Sequence, residues 1–279
     1  MSATTRLRGD VLLFAPRAGV WGSKGGKGHE LTPRTARRDP SSSHDRHPDA
    51  PPRQAEAPQV HNVVMSFQLP DALQIPDDSP ALKLLNRYFN STPGSSEFHT
   101  GSLFDGWDST GTRNLDANRF TADDSVAVTF LSVRVLPLAA NQLLRDRAER
   151  FSELLTEVGA DRDLVGDDSV LRDDWAGWTL MSELQALPNV GPVTASKLFA
   201  RKRPRLRPIY DDVVAAVTGS QTLWKPLYEA LQTDDLHERL LRLRDQTGLG
   251  EHISALRIFD VIAWREGKDK GLGRRRSTR

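Results

Sequence analysis

Residues 187–198 (LPNVGPVTASKL) constrain the fold of this chain more than any other segment. The run predicts the end of one helix, a tight turn and the start of a second helix, with Val190 directed into the apolar core. Gly191 has no side chain, so another molecule can approach its backbone closely. Pro192 suits the first turn of a helix, because its missing N–H would be unpaired there anyway. The free amides at that helix start would face a phosphate.

Apolar residues at helical spacing dominate residues 65–264. Asp78-Ser79-Pro80 supplies a cap and a first-turn proline for one helix. Thr121-Ala122-Asp123-Asp124 resembles a capping box and opens an apolar helix that should run to Pro137. A repeated strand–helix–strand pattern is absent, so we predict an all-α domain that contains a helix-hairpin-helix motif. Further helices are expected over residues 143–159, 173–187, 210–219, 224–231, 236–248 and 253–263.

The two ends of the chain are basic, whereas its middle is acidic. Residues 1–64 hold 10 Lys and Arg against 6 Asp and Glu, residues 265–279 hold 7 against 2, and residues 65–264 hold 21 against 29. The Pro- and Ser-rich segment 1–64 and the Gly-rich segment 265–279 are predicted to be disordered basic tails. Met65 stands where ordered patterning begins, so two alternatives are a tail or a translation start at Met65. Because the domain is acidic, any contact with DNA should be local.

Composition narrows the classes of protein to be considered. No apolar run approaches the ~20 residues of a membrane helix. An apolar signal core at the N-terminus is also absent, so we expect a cytoplasmic protein without a membrane partner. The chain has no cysteine, which excludes disulfides, thiolate zinc sites and cysteine-bound iron–sulfur clusters. Its seven histidines do not have the spacing of a metal site, so no metal and no cofactor are expected.

Six cations lie within eleven residues after the hairpin, inside an otherwise acidic domain. One interpretation is that they neutralise DNA phosphates, which would make binding strongly salt-dependent. The other is a solvated helix end, where cations also suit the helix dipole. Their proximity to the hairpin favours the first interpretation. The predicted DNA-contacting residues are Asn189, Gly191, Val193, Thr194, Lys197, Arg201, Lys202, Arg203 and Arg205, and Arg207 completes the cationic run.

Residues 187–212 resemble the hairpin and catalytic-aspartate segment of the helix-hairpin-helix DNA glycosylase superfamily. The 20 residues from Gly191 to Asp211 are similar to the spacing in that superfamily, and residues 127–132 look like its buried early helix. Residues 131–187 form a shorter stretch than the superfamily has, so the resemblance implies a glycosylase-like but shortened domain. The run 196–204 (SKLFARKRP) is similar to a motif of an uncharacterised bacterial family of domain-of-unknown-function proteins.

The resemblance implies that Asp211 stabilises a sugar cation and orients the attacking water, after the target base has flipped out of the duplex. Val193 stands where bifunctional members have a nucleophilic lysine, so the resemblance implies a monofunctional reaction. It also implies a monovalent cation on the backbone carbonyls of the hairpin. The alternative for Asp211 is an N-cap for the helix that follows, and both roles stay open.

Several aromatic and acidic residues are weaker candidates. Trp175 and Trp178 lie one helical turn apart, and with Tyr210 they could line a base pocket or belong to the core. Asp260 interrupts an apolar helix, where an ion pair with Arg257 is the favoured role. A Gly- and Ser-rich loop over residues 91–118 could form a lid with Phe104, Asp105 and Trp107.

Three classes of function follow from these patterns. The most specific class is a DNA-binding protein that excises a base with Asp211. The second is a non-catalytic helical module that binds DNA or a protein partner, and the third is a purely structural hairpin. A glycosylase predicts a pocket that opens beside Asp211, within reach of the hairpin.

Overall fold

The computed structural model describes residues 67–233 and 235–273. Within these residues the fold is all-α, with eleven α-helices and no strand. The prediction of an all-α domain is confirmed. The tail predicted over residues 1–64 and the basic residues after 273 lie outside the described residues. The helices are α1 (Asp71–Gln74), α2 (Ser79–Phe89), α3 (Ala122–Phe130), α4 (Pro137–Asn141), α5 (Ala148–Val158), α6 (Ala176–Gln185), α7 (Pro192–Lys202), α8 (Asp212–Thr218), α9 (Trp224–Leu231), α10 (Leu236–Gln246) and α11 (Ala255–Asp269).

Helix α3 is shorter than its apolar sequence predicts. It ends at Phe130, and Ser132 follows in the left-handed region at φ 62°, which turns the chain out of the helix. Pro137 begins α4 rather than ending α3, and the residue before it is extended, as a residue before proline prefers. One face of α3 is buried through Ala127 and Val128, whereas Val126 is exposed. The predicted helix therefore ends seven residues before Pro137, and only one of its faces is buried.

The helix expected over residues 143–159 is divided in two. A π-helical turn over Gln142–Asp146 joins α4 to α5, and Gly159 ends α5 at φ 87°. Two 3₁₀ turns, Thr100–Leu103 and Asp168–Leu171, lie in the long connections before α3 and α6. Within the described part of the chain, no helix is both long enough and apolar enough to cross a bilayer.

Helix α11 is the centre of the domain and packs against α2, α8 and α10. It extends to Asp269, five residues beyond the predicted end of the domain at residue 264. The carboxylate of Glu266 explains the extension, because it accepts the amides of Asp71 and Ala72 at 3.1 Å each. Those bonds cap α1 and bury Glu266, so residues that look like a basic tail are part of the core.

Candidate active site

The segment predicted as a hairpin joins α6 to α7, and these two helices pack against each other. Asn189 is left-handed at φ 60°, and Pro192 occupies the first turn of α7 as predicted. Val190 is buried in the core, whereas Asn189 and Gly191 are exposed. A side-chain carbon at Gly191 would meet no atom within 4 Å, so the backbone there is open to an approaching molecule.

The start of α7 leaves backbone amides free for a partner, as helix starts do. The first bond of this helix joins the amide of Ala195 to the carbonyl of Gly191 at 3.0 Å, and the carbonyl of Leu187 accepts the amide of Val190 at 3.1 Å. Of the next two predicted contacts, Val193 is half-buried and Thr194 is buried. The monovalent cation implied by the resemblance stays a prediction.

The cationic run on α7 lies inside the protein, and this corrects the predicted DNA contacts. Lys197, Arg201, Lys202 and Arg203 are each at most 6% exposed, so their charged groups cannot reach a phosphate at the surface. Within this run Arg205 is the exposed member, and its guanidinium pairs with Asp163. Neither interpretation offered by the sequence, phosphate contact or a solvated helix end, describes the run.

The buried cations tie the long loop before α3 to the domain. Arg201 donates to the carbonyl of Phe104 at 2.9 Å and pairs with Asp124 at 3.3 Å. Lys202 pairs with Asp124 at 2.5 Å, and burial lowers the pKa of its amine. Arg203 donates to the carbonyls of Gly159, Ala117 and Leu155 at 2.6–2.8 Å. These contacts replace water around the charges, as a buried cation requires.

Arg207 is buried without a carboxylate partner among the described residues. Its guanidinium lies 3.8 Å from the centre of the Trp224 ring, and its Nη2 lies 3.8 Å from the sulfur of Met181. Burial lowers the pKa of Arg207 to about 9. The stacking on tryptophan provides the main compensation for the buried charge.

A cavity of about 410 Å³ opens beside Asp211. It lies where α2, α7, α8 and α11 meet the segment after α3, so residues distant in sequence converge on it. Its lining combines charged groups with aromatic side chains, as a ligand site for a flat polar molecule does. The principal lining residues are Tyr88, Phe98, His99, Phe130, Lys197, Asp211, Asp212, Arg257, Asp260, Trp264 and Lys268.

Two contacts hold the carboxylate of Asp211 at the start of α8. Its Oδ1 accepts the amide of Val213 at 3.0 Å, which confirms the predicted N-cap. Its Oδ2 lies 3.2 Å from the amine of Lys197, which also donates to the carbonyl of Leu131 at 2.9 Å. The side chain of Asp211 remains 21% exposed, so a ligand in the cavity can reach it. The capping role therefore does not exclude a catalytic one.

Asp260 is a second carboxyl group in the same cavity, and its predicted ion pair with Arg257 is confirmed. Arg257 also donates to Asp105 at 2.9 Å, to the hydroxyl of Tyr88 at 2.9 Å and to the carbonyl of Gly101 at 2.8 Å. Burial raises the pKa of Asp260 to about 6, against the opposing charge of Arg257. Arg257 is thus a fixed scaffold for one wall of the cavity.

Three aromatic rings that pack against each other form another wall of the cavity. His99 stacks on Tyr88 with ring centres 5.3 Å apart, and Trp264 meets both rings edge-on. The guanidinium of Arg265 donates to Nε2 of His99 at 2.8 Å. Burial and the charges of Arg265 and Arg87 lower the pKa of His99, so this ring is neutral near pH 7.

The residues that the sequence suggested for a pocket or a lid lie elsewhere. Trp175 and Trp178 pack with Trp224 in an aromatic cluster and do not line the cavity, so their predicted pocket role is corrected to a core role. Tyr210 is half-buried behind the site, where Oγ of Ser196 accepts its amide at 3.0 Å. The predicted lid is also wrong, because Phe104 and Asp105 are buried in the core and Trp107 packs on Phe130.

Lys197 and Asp260 are two charged residues whose place in the cavity the sequence did not show, and nothing in the sequence indicated the aromatic wall or Lys268. Lys197 lies one turn after Val193 on α7, and residues at that spacing share a helix face. Asp260 stood out as a carboxyl group within an apolar helix, but its partner Arg257 gave no indication of a cavity. Among the described residues, no cluster of three or more histidine and carboxylate side chains could hold a metal ion.

Comparison with known proteins adds one match. Neither a curated protein nor a solved structure matches this chain. The family model that matches is described as a family of unknown function, DUF6308, and it covers residues 81–267, from the first turn of α2 into the last turn of α11. The match includes the segment between α6 and α7, the cationic run over residues 197–207 and the carboxyl groups of the cavity. The chain therefore belongs to the DUF6308 family.

Proposed function

We propose that this protein binds DNA through the segment between α6 and α7 and hydrolyses the N-glycosidic bond of a flipped nucleotide with Asp211. The observation that carries the proposal is the cavity of about 410 Å³ that opens at Asp211. Helix α7 links the two parts of the site: Gly191 caps its start, and Lys197 lines the cavity about 9 Å further along its axis. Both proposed activities therefore depend on one rigid element.

Asp211 suits the chemistry of a sugar cation. Bonds from Val213 and Lys197 fix its carboxylate in one orientation, while part of the side chain stays open to the cavity. A fixed negative charge stabilises the positive charge that develops on the sugar as the bond to the base breaks. The same carboxylate can accept a proton from the attacking water.

The aromatic wall suits a base removed from the stack. Enzymes that act on a base flip it into a pocket, where it stacks on aromatic side chains. Trp264, His99 and Phe130 line the cavity and provide such surfaces. Lys268 also lines it, with its amine 5.4 Å from the centre of the Trp264 ring, and can meet a phosphate beside the flipped nucleotide.

DNA binding depends in this proposal on open backbone at Gly191 rather than on the buried cations. The Gly191→Asp variant places a carboxylate where a phosphate would approach, and the φ of −89° and the open space allow the side chain without strain. Gly106→Asp is the matched control, because Gly106 is also exposed with no atom near its added carbon. We expect binding to a DNA duplex, measured by fluorescence anisotropy at two salt concentrations, to weaken about tenfold or more in Gly191→Asp alone.

Catalysis is tested by comparing base release by the wild type and by Asp211→Asn. The substrates are DNA duplexes that each contain one damaged or non-standard base. We expect the wild type to release the base and Asp211→Asn to lose about 100-fold or more in single-turnover rate. Asp167→Asn is the control, because Asp167 also caps a helical turn, accepts the amide of Ser169 and pairs with an arginine, but it does not line the cavity. It should retain the wild-type rate.

The outcomes separate the three classes of function. Equal losses in Asp211→Asn and Asp167→Asn would assign a structural role to Asp211. DNA binding that depends on Gly191, without release of any base, would leave a non-catalytic DNA-binding module. Equal affinities of the two glycine variants, with no release of a base, would make the hairpin a structural element.

A further inference from the structure

We propose that Asp260 is the general acid of this cavity and protonates the departing base, so that the substrates are nucleotides whose damaged or non-standard base is uncharged. This inference rests on the proposed function and deepens it. A base that carries no positive charge leaves as an anion unless a proton is delivered to it, whereas a base alkylated on a ring nitrogen already carries the charge that makes it leave. The presence of an acid therefore determines which class of base the site can release.

The geometry gives Asp260 one bound oxygen and one available oxygen. Oδ2 accepts a bond from Nη1 of Arg257, whereas no hydrogen bond from any described residue reaches Oδ1. The side chain lines the cavity and is only 7% exposed. The available oxygen can therefore carry a proton toward a ligand in the cavity.

Two of the carboxyl groups that line the cavity, those of Asp211 and Asp260, lie in different surroundings. Asp211 has a helix-start amide on one oxygen and the Lys197 amine on the other, so both of its oxygens have a protein partner. Asp260 is buried, and the charge of Asp211 adds to burial in raising its pKa, while Arg257 and Lys197 oppose the rise. Two carboxyl groups held in contrasting environments can divide acid and base roles between them. The charged and titratable groups that act on Asp260 are Arg257, Asp211, Lys197 and Tyr88, and Asp105 binds the same arginine.

The step balances with these two residues and one water. The bond from C1′ of the sugar to the base nitrogen breaks, and its electron pair goes to the base, which takes the proton from Asp260. The oxygen of water bonds to C1′, and its proton passes to the carboxylate of Asp211. The products are the neutral free base and a sugar with a hydroxyl at C1′. Exchange with solvent then restores the proton to Asp260 and removes it from Asp211.

The experiment compares uncharged with cationic bases in the same duplex. The uncharged probes are uracil, hypoxanthine and 8-oxoguanine, and the cationic probes are 7-methylguanine and 3-methyladenine. Asp260→Asn is compared with Asp105→Asn, because each variant removes one carboxylate from Arg257, but Asp105 does not line this cavity. Single-turnover rates are measured from pH 4.5 to pH 8, with the thermal unfolding of each variant as a check on folding.

We expect the wild type to release at least one uncharged base, with a rate that falls tenfold per pH unit above about pH 6, as the acid loses its proton. Asp260→Asn should lower that rate about 100-fold or more and abolish the decline above pH 6, whereas Asp105→Asn should keep the decline. A wild type that releases only cationic bases would overturn this inference and leave the proposed function standing. Equal losses in the two variants, with an unchanged pH profile, would also overturn it. Release of no base from any probe would overturn both proposals.

Discussion

Two buried clusters of carboxylates and cations share helix α7, but only one of them opens to a cavity. The sealed cluster consists of Asp124, Arg201 and Lys202, and the open cluster consists of Lys197, Asp211, Arg257 and Asp260. Both contain the same residue types, and each of their cations is at most 6% exposed. The difference lies in the carboxylates. The oxygens of Asp124 are enclosed by protein donors, whereas Asp211 and Asp260 line the cavity.

This comparison shows that burial of charge alone does not mark a functional site. Lys197 and Arg201 lie one turn apart on the same helix, yet the first faces the cavity and the second binds loop carbonyls. In the sealed cluster the ion pairs join α3 to α7, and the same two cations bind the loop carbonyls of Phe104 and Asp116. In the open cluster a carboxylate remains available to a ligand, which is the requirement for chemistry.

The largest expected effect is the loss of Asp124 from the sealed cluster. Asp124→Ala leaves Arg201 and Lys202 buried without their carboxylate, and removing one partner of a buried pair costs about 3–5 kcal/mol. The variant also removes the oxygen that accepts the amide of Thr121 at the start of α3. We expect the free energy of unfolding, measured with urea, to fall by that amount.

Asp123→Ala is the matched control for the sealed cluster. Asp123 precedes Asp124 in the same helical turn, but its carboxylate bonds to Ser109 at the surface. Its removal should cost about 1 kcal/mol. Similar losses from the two substitutions would show that the buried ion pairs of Asp124 stabilise the fold no more than a surface contact does, and would remove the contrast with the open cluster.

The next effect is a pH dependence of stability that belongs to the open cluster. Burial raises the pKa of Asp260 from 3.8 to about 6 in the folded protein, so the folded state holds this proton more tightly than the unfolded state does. The corresponding stability is complete below about pH 4 and is lost as the pH rises through 6, by about 3 kcal/mol. Urea unfolding at pH 4, 5, 6 and 7 measures this loss.

Asp260→Asn isolates the contribution of Asp260 from that of other carboxyl groups. Burial also raises the pKa of Asp161 to about 6, and Asp161 contributes equally to both proteins. The difference in unfolding free energy between wild type and variant should therefore change with pH only through Asp260. A constant difference from pH 4 to pH 7 would mean that Asp260 titrates as an ordinary carboxyl group and that the open cluster is as inert as the sealed one.

The sequence predicted those parts of the site that depend on nearby residues. The start of α7 at Pro192, the cap by Asp211 and the pair between Arg257 and Asp260 each involve residues within one helical turn. The cap of α3 by Asp124 belongs to the same group. Local chemistry determines such features, so a single sequence shows them.

The sequence could not predict which groups the charged side chains of the cationic run contact. The partners of Arg201 are Asp124 and the carbonyl of Phe104, which lie 77 and 97 residues away along the chain. Six closely spaced cations are typical of a surface, and only the tertiary packing around α7 and the residues after it shows that five of them are buried. The cavity has the same origin, because its walls come from α2, α7, α8 and α11.

The smallest expected effect concerns Arg205, the one member of the cationic run that the sequence placed correctly at the surface. Its side chain is 49% exposed, and its ion pair with Asp163 is open to water and salt. Arg205→Ala should therefore change the free energy of unfolding by less than about 1 kcal/mol, and salt should reduce the change further. Arg203→Ala, two residues earlier, should cost several times more, because it leaves buried carbonyls without a donor.

Since Arg205→Ala leaves the fold intact, its affinity for a DNA duplex reports phosphate contact alone. An unchanged affinity would place the whole run among structural residues, and a loss that diminishes at high salt would make Arg205 the single cation of the run that contacts DNA.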